Sequence, residues 1–415
     1  MRDTFLTDIV FAESKRQEEN MELIASENFA SIDTLSLMST CLNNKYAEGY
    51  PNGDSVEKFK KLYPDYIHTG KVGRYYGGCE NVDMIELYCR YRWQQVFNVV
   101  GEYHVNVQPH SGTQANMEAY DAVLAPGDTI LAMSLADGGH LSHSAPVSFV
   151  GKKYNVITYG VTEDNELDYE DICAKIYLYH PKLIVTGASA FSGQINFARI
   201  KAMINEYEAN SFSKIYLLAD ISHVAGLVAN GFYDNPFFIA DIITTTTHKT
   251  LRGPRGALIF CKPELAEAVD ASVFPRNQGG PLMHVIAAKA QAATECLSLD
   301  YYSYIKNVVD SAAAMCDAFI ERGAKVVGNG TSNHLFILDT MTSFGLTGLQ
   351  AQNILEEKGY TVNKNAIPND PLPPSKSSGI RIGTPAIVSL GAEPMTARVI
   401  AINIYNVLKG ASVSE

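Results

Sequence analysis

Short runs that are apolar at nearly every position recur through the middle of the chain: TILAMS near Thr129, YNVITYG near Tyr154, LIVTGAS near Leu183, IYLLAD near Ile215, IITTTT near Ile242 and ALIFC near Ala257. A strand with one wet face alternates apolar and polar residues, whereas one that is apolar throughout must be covered on both faces. Helix-like segments such as TQANMEAYDAVL and ARIKAMINEYEA lie between the runs and would supply that cover. The pattern predicts an α/β domain built on a mainly parallel sheet. After about Ala290 the texture changes to a long helical stretch through Tyr301 to Arg322, strand-like KVVG and HLFILDT, a helix near Gly348 to Lys358 and a terminal helix. That predicts a second, smaller α+β domain, in keeping with a chain of 415 residues, which is long for a single core. The proline-rich PNDPLPPSKSSG, Pro368 to Gly379, reads as a loop.

Charge and composition exclude several classes of function. With 46% hydrophobic and 19% charged residues the chain can bury enough apolar surface to fold. A formal net charge of −12 argues against non-specific attraction to nucleic acid or to an anionic membrane, both of which need a positive field. The seven cysteines form no CxxC pair and no regular spacing, a pattern of reduced thiols. The amino-terminal MRDTFLTDIVFAESKRQEEN lacks the apolar core of a signal peptide. A cytoplasmic protein is expected.

Chemistry concentrates in a few segments. In IITTTTHKTLRGPRG an apolar strand gives way to His248 and Lys249, so the lysine stands at the carboxyl end of a strand, where open α/β sheets bind ligands. A lone lysine there is ordinarily a solvated one; its company changes the reading. LLADISHVAG ends a second strand in Asp220, with His223 close behind. That aspartate is suited to capping a helix, to a metal, to orienting a histidine or to holding a protonated ring nitrogen. No set of further ligands at metal-binding spacing accompanies it, so no metal is expected. NVQPHSGTQANMEAY places Ser111, Gly112 and Thr113 at a helix start, where free amides cap the helix or receive a phosphate.

Longer stretches carry a resemblance. ELIASENF, NKYAEGYP, RYYGGCE, QPHSGTQAN, ADGGHLSH, ADISHVAGLVA, TTTTHKTLRGPRG, QGGPLMHVIAAKA, VNKNAIPND and SGIRIGTPA are similar to the serine hydroxymethyltransferase family from Glu22 to Ala386. The resemblance implies the aspartate-aminotransferase-like fold of pyridoxal 5′-phosphate-dependent transferases (fold type I). Its expected parts are an amino-terminal arm over residues 1–30, a large cofactor domain over 31–290 and a small carboxyl-terminal domain over 291–415. It implies a homodimer with shared active sites, with a tetramer left open.

Carried onto this sequence, the resemblance makes Lys249 the Schiff-base lysine and pairs Asp220 with the pyridinium nitrogen. It sets Ser189 and His223 near the ring hydroxyl, stacks His140 on the ring, and lines the pocket further with Tyr46, His248 and Arg255. The phosphate falls to Ser111, Gly112 and Thr113, with Gly279 and Gly280 reaching from a neighbouring subunit. Arg381 and Ser26 take the amino-acid carboxylate, Glu48 and Tyr76 serve proton transfer and positioning from the partner, and Leu135, Gly139 and Asn365 match positions that contact folate. The implied reaction passes the hydroxymethyl carbon of serine to tetrahydrofolate, giving glycine and 5,10-methylenetetrahydrofolate through aldimines of the cofactor. A folate-independent β-hydroxy amino-acid aldolase and a non-catalytic scaffold are the other readings such a sequence allows.

Two departures accompany the match. Asn52 to Gly73 has no counterpart in the family pattern, in which GYP runs almost directly into RYYGG. It lies between Glu48 and Tyr76 and is expected to add a contact between subunits or to cover the folate entrance. Phe191 stands where the family usually has tyrosine, which removes one hydroxyl near the cofactor.

Overall fold

All six apolar runs become strands of one seven-stranded sheet in the computed structural model, which describes residues 3–211 and 213–412. In chain order the strands are β1 (His104–Asn106), β2 (Thr129–Met133), β3 (Asn155–Tyr159), β4 (Leu183–Thr186), β5 (Tyr216–Asp220), β6 (Ile242–Thr246) and β7 (Ala257–Cys261). They lie in the order β1-β7-β6-β5-β4-β2-β3. Pairing is parallel from β3 across to β6, and antiparallel between β6 and β7 and between β7 and β1. Two reversals restore direction, so β1 points the same way as the parallel strands. Strand β1 was not among the expected strands; its three residues, His-Val-Asn, carry too little apolar pattern to announce themselves.

β4, β6 and β7 are buried at every position, while edge strand β3 is exposed at both Asn155 and Thr158. The interior of the sheet therefore reads as unbroken apolar sequence and its edge does not. Ile130, Ala132, Leu183, Val185, Leu218, Ile242 and Ile259 form one core with Ala115, Ala119 and Tyr120 of a covering helix. Truncating one of its larger members to alanine would cost about 2–5 kcal/mol.

This sheet belongs to a unit of residues 28–189 and 194–305. Its helices include α1 (Gly53–Leu62), α2 (Glu80–Val96), α3 (Gly112–Val123) and α4 (Met283–Cys296). Ser111 caps α3 by accepting from the Gln114 N–H at 3.4 Å, and the chain turns extended at Leu124, two residues before Pro126. The stretch from Asn52 to Gly73 closes a wide hairpin, since Gly49–Tyr50 pairs antiparallel with Gly73–Arg74. Within it α1 turns Val56 and Phe59 inward against Leu87 and Tyr91 of α2 and against Tyr66. The Phe59 ring stacks on Tyr63 at 4.6 Å and meets Tyr66 edge-on at 5.1 Å, geometries that add to the burial of the rings.

The second unit gathers the amino-terminal segment through Glu27, residues 190–193 and residues 306–415. Its four-stranded antiparallel sheet runs β8 (Lys325–Val326), β9 (Leu335–Asp339), β11 (Gly379–Gly383), β10 (Asn363–Asn365). The expected α+β texture is present, and Pro368 to Ser378 is loop up to the start of β11. The helix Thr4–Glu19, capped by Asp3, buries none of its side chains and exposes Phe5, Leu6, Ile9, Val10 and Phe11. Among the described residues no helix is long and apolar enough to cross a membrane.

Candidate active site

Strand direction gathers most of the singled-out residues of the larger unit on one edge of its sheet. Leu135, Gly139 and His140 follow the carboxyl end of β2, Ser189 follows β4, Asp220 ends β5 with His223 just beyond, and His248 and Lys249 follow β6. Ser111, Gly112 and Thr113 follow β1, which points the same way. Open α/β sheets bind ligands along this edge, because connecting loops and helix amino termini converge there.

Asp220 is the electrostatic centre of the group. Its Oδ2 accepts from His143 Nε2 at 2.8 Å and from Asn116 Nδ2 at 2.9 Å, and its Oδ1 accepts from the Ser222 N–H at 3.0 Å. Since an ionised carboxylate only accepts, His143 carries its proton on Nε2. Burial by itself would raise this carboxyl, but the hydrogen bond and charge of His143, with the bonds from Asn116 and Ser222, hold it far below the usual carboxylate range. Asn116 is fixed in turn by Thr244 of β6, whose hydroxyl donates to its Oδ1 at 2.7 Å, and it donates to Ser142 Oγ at 2.9 Å. The result is a permanent anion aimed at the ligand edge.

Around it, His140 accepts the Ser142 N–H at Nδ1 (3.2 Å), which leaves its ring proton on Nε2, and its ring centroid lies 5.6 Å from that of His143. Ser189 Oγ stands 3.3 Å from His223 Nε2. Lys249 is 9% exposed, and its carbonyl accepts from Asn28 Nδ2 at 2.7 Å. The imidazole of His248 is pushed down to about 3 by burial and by the charges of Lys249 and Arg255, so it is neutral at physiological pH. At the start of α3 a Cβ on Gly112 would meet Thr246 Cγ2 at 2.7 Å, so only glycine lets the helix terminus sit this close to β6. Ser111 and Thr113 remain exposed beside the free amides.

An amine, a hydrogen-bonded carboxylate and a helix amino terminus on one sheet edge suit a ligand with a carbonyl carbon, a basic ring nitrogen and a phosphate. That donor set fits pyridoxal phosphate, and among the described residues no group of three or more His, Cys, Asp or Glu is arranged to hold a metal. The model for the family described as serine hydroxymethyltransferase matches residues 1–404. The chain belongs to that family. It is accordingly a pyridoxal phosphate-dependent transferase with the α/β fold of its class.

A second cluster brings Tyr46 together with the residues that family resemblance assigns to a neighbouring subunit's site, Glu48, Tyr76, Gly279 and Gly280. The Tyr46 and Tyr76 rings lie 5.0 Å apart, and a Cβ on Gly279 would stand 3.2 Å from Glu48 Oε1, while one on Gly280 would touch the Tyr46 ring at 3.1 Å. The charge of Glu48, ahead of desolvation, raises the Tyr76 phenol. The loop is braced from beneath: buried Arg74 donates through Nη1 to the carbonyls of Ala47 and Gly49 at 2.9 and 2.8 Å, and binds Asp83 and Glu86 at 2.8 Å each. The Tyr75 N–H donates to the Glu48 carbonyl at 3.0 Å.

Of the remaining assignments, Leu135 is exposed and Gly139 is packed where a Cβ would lie 2.4 Å from the Met133 carbonyl oxygen. In the smaller unit Arg381, on β11, is buried, and its Nε donates to Asn363 Oδ1 of β10 at 3.1 Å. Burial lowers its guanidinium to about 10 while the charge of Glu27 opposes the change, so it stays cationic at neutral pH. Ser26 is half-buried, Asn365 is half-buried on β10, and Phe191 is buried with its carbonyl accepting from Asn333. Sequence reasoning passed over His143 and Asn116, the groups that fix Asp220. Both lie in stretches matched to serine hydroxymethyltransferases, ADGGHLSH and QPHSGTQAN, and the signal available was a second polar residue three positions past His140 and past Thr113.

Proposed function

We propose that the protein moves the hydroxymethyl carbon of serine to tetrahydrofolate, leaving glycine and 5,10-methylenetetrahydrofolate. The observation that carries this reading is the ionised Asp220, held by His143, Asn116 and the Ser222 N–H on the same sheet edge as Lys249. Bound pyridoxal phosphate supplies an electron sink for the substrate Cα. Asp220 would keep the ring nitrogen of that cofactor protonated, the amides at the start of α3 with Ser111 and Thr113 would hold its phosphate, and Lys249 would be its covalent anchor. His140, Ser189 and His223 would hold the ring and its hydroxyl, and Tyr46, His248 and Arg255 would complete the lining.

Arg381, cationic yet buried, pairs with the substrate carboxylate, and a guanidinium fork does this bidentately. Ser26 assists it. Glu48 takes or returns the proton on the hydroxymethyl oxygen, Tyr76 positions the substrate, and Glu48, Tyr76, Gly279 and Gly280 serve the site of a second copy in a homodimer. Leu135, Gly139 and Asn365 receive the folate. The cysteines, all free thiols, suit a reducing cytosol.

The test is an absorbance titration of protein reconstituted with the cofactor. A visible band bound to the wild type and missing from Lys249→Ala, with a longer-wavelength band that grows only when glycine and tetrahydrofolate are both added, is the expected result. A response to amino acid that ignores folate would assign the chain to folate-independent aldol cleavage instead, and failure to bind the chromophore would end the enzymatic reading.

A further inference from the structure

The segment between Asn52 and Gly73 contacts more than α2. Its return limb reaches a buried polar network whose centre is Asp270. The Lys71 N–H donates to Asp270 Oδ2 at 2.8 Å, and Thr69 Oγ1 lies 3.0 Å from His104 Nδ1. Asp270 Oδ1 accepts from His104 Nε2 at 2.8 Å and from Asn106 Nδ2 at 2.9 Å, with Arg90 Nη2 at 4.0 Å from Oδ2. The outgoing limb ends on the same residue: Tyr50 donates its phenol to the Asp270 carbonyl at 2.6 Å and accepts from Asn106 Nδ2 at 3.1 Å. Side chains of His104 and Asp270 are 1% and 0% exposed, so neither is open to a ligand.

Asp270 and His104 thus fasten both limbs of a hairpin, and Glu48 lies immediately before its first strand. Residue 70 must be glycine for the clamp to close. Its φ is +84°, and a Cβ there would stand 2.3 Å from Asp270 Oδ2 and 2.6 Å from His104 Cε1. An unbraced segment of this length would leave the Glu48 loop free to shift, and an acid or base displaced by about 1 Å loses roughly a hundredfold in rate.

We infer that Asp270 and His104, closed by Thr69, Gly70 and Lys71, are positioning residues for Glu48, and that the segment is a brace for this carboxylate instead of a lid. The inference rests on the reading of Glu48 as the proton-transfer group. Its test is a double-mutant cycle between Gly70→Ala and Glu48→Gln in the reconstituted full-length protein, with amide hydrogen exchange at Tyr75 as a readout independent of turnover.

Gly70→Ala is expected to lower kcat with serine and tetrahydrofolate about tenfold, to leave KM for serine within about twofold, and to speed exchange at Tyr75, whose N–H holds the Glu48 carbonyl. Thr69→Val, a milder change of nearly equal volume, should act in the same direction by about two- to threefold. Combined with Glu48→Gln, Gly70→Ala should lower kcat no further. Multiplying effects, or an effect confined to thermal stability with kcat and Tyr75 exchange unmoved, would overturn the inference. If Glu48→Gln alone left kcat unchanged, the assigned role of Glu48 would fall first, and faster exchange at Tyr75 in Gly70→Ala would still show whether the brace holds the loop.

Discussion

Asp220 and Asp270 are held by almost the same groups. Each accepts a histidine Nε2 at 2.8 Å, an asparagine Nδ2 at 2.9 Å and one backbone N–H. In each, burial would raise the carboxyl and the partners more than reverse it. They differ in what else they meet. Asp270 has a permanent cation built into its network, Arg90, and is sealed. Asp220 ends a parallel strand at the ligand edge and is matched by a histidine, an amide and a peptide group. One carboxylate lies beside a buried guanidinium and holds chain segments together; on the reading proposed above, the other offers its charge to a cationic ligand atom. Hydrogen bonding alone does not distinguish a structural aspartate from a functional one, whereas position and charge balance do.

The sharpest way to break that comparison is to neutralise each carboxylate in turn. Asp220→Asn is expected to lower kcat by about a thousandfold, about 4 kcal/mol of transition-state stabilisation, with a melting temperature close to wild type. Steady-state kinetics beside differential scanning calorimetry decide it, and a large melting shift with intact turnover would reverse the assignment. Asp270→Asn should do the opposite in kind: a loss of about 3 kcal/mol in denaturant-induced unfolding, since Arg90 and His104 would be left buried without their anion, and no more than about a tenfold loss in kcat. Equal kinetic damage from both substitutions would show that charge balance is the wrong criterion.

The smallest expected effect concerns two histidines, His68 and His248. Burial, ahead of neighbouring charges, pushes His68 and His248 down to about 3. Each is neutral when folded but takes a proton near pH 6.5 when unfolded. Their contribution is therefore complete above that value and is lost as pH falls toward the folded value, by about 2 kcal/mol for each at pH 5. His68→Phe should flatten the acid side of the stability profile between pH 6.5 and 5 by about that amount.

Legibility in the sequence followed the periodicity of each segment. The six apolar strands could be read because burial on both faces removes alternation, and Lys249, Asp220 and the Ser111–Thr113 turn could be singled out because strand ends in such a sheet are where ligands sit. Strand β1 was illegible because it is three residues long and rests on β7 alone. The brace at Asp270 was illegible because its parts, at positions 50, 69–71, 90, 104, 106 and 270, share no spacing. Likewise nothing local in ADGGHLSH marks His143, rather than His140, as the partner of Asp220.

The sequence by itself determined the family, the α/β class and the residue types able to hold a phosphorylated cofactor, because these depend on local pattern and on long matched stretches. Only the tertiary structure decided which histidine faces which aspartate, which carboxylate lies beside Arg90, and how the segment from Asn52 to Gly73 is tied to Asp270. Those are contacts between residues up to about two hundred positions apart, set by the direction of strands and the packing of helices, and a one-dimensional pattern carries no term for them.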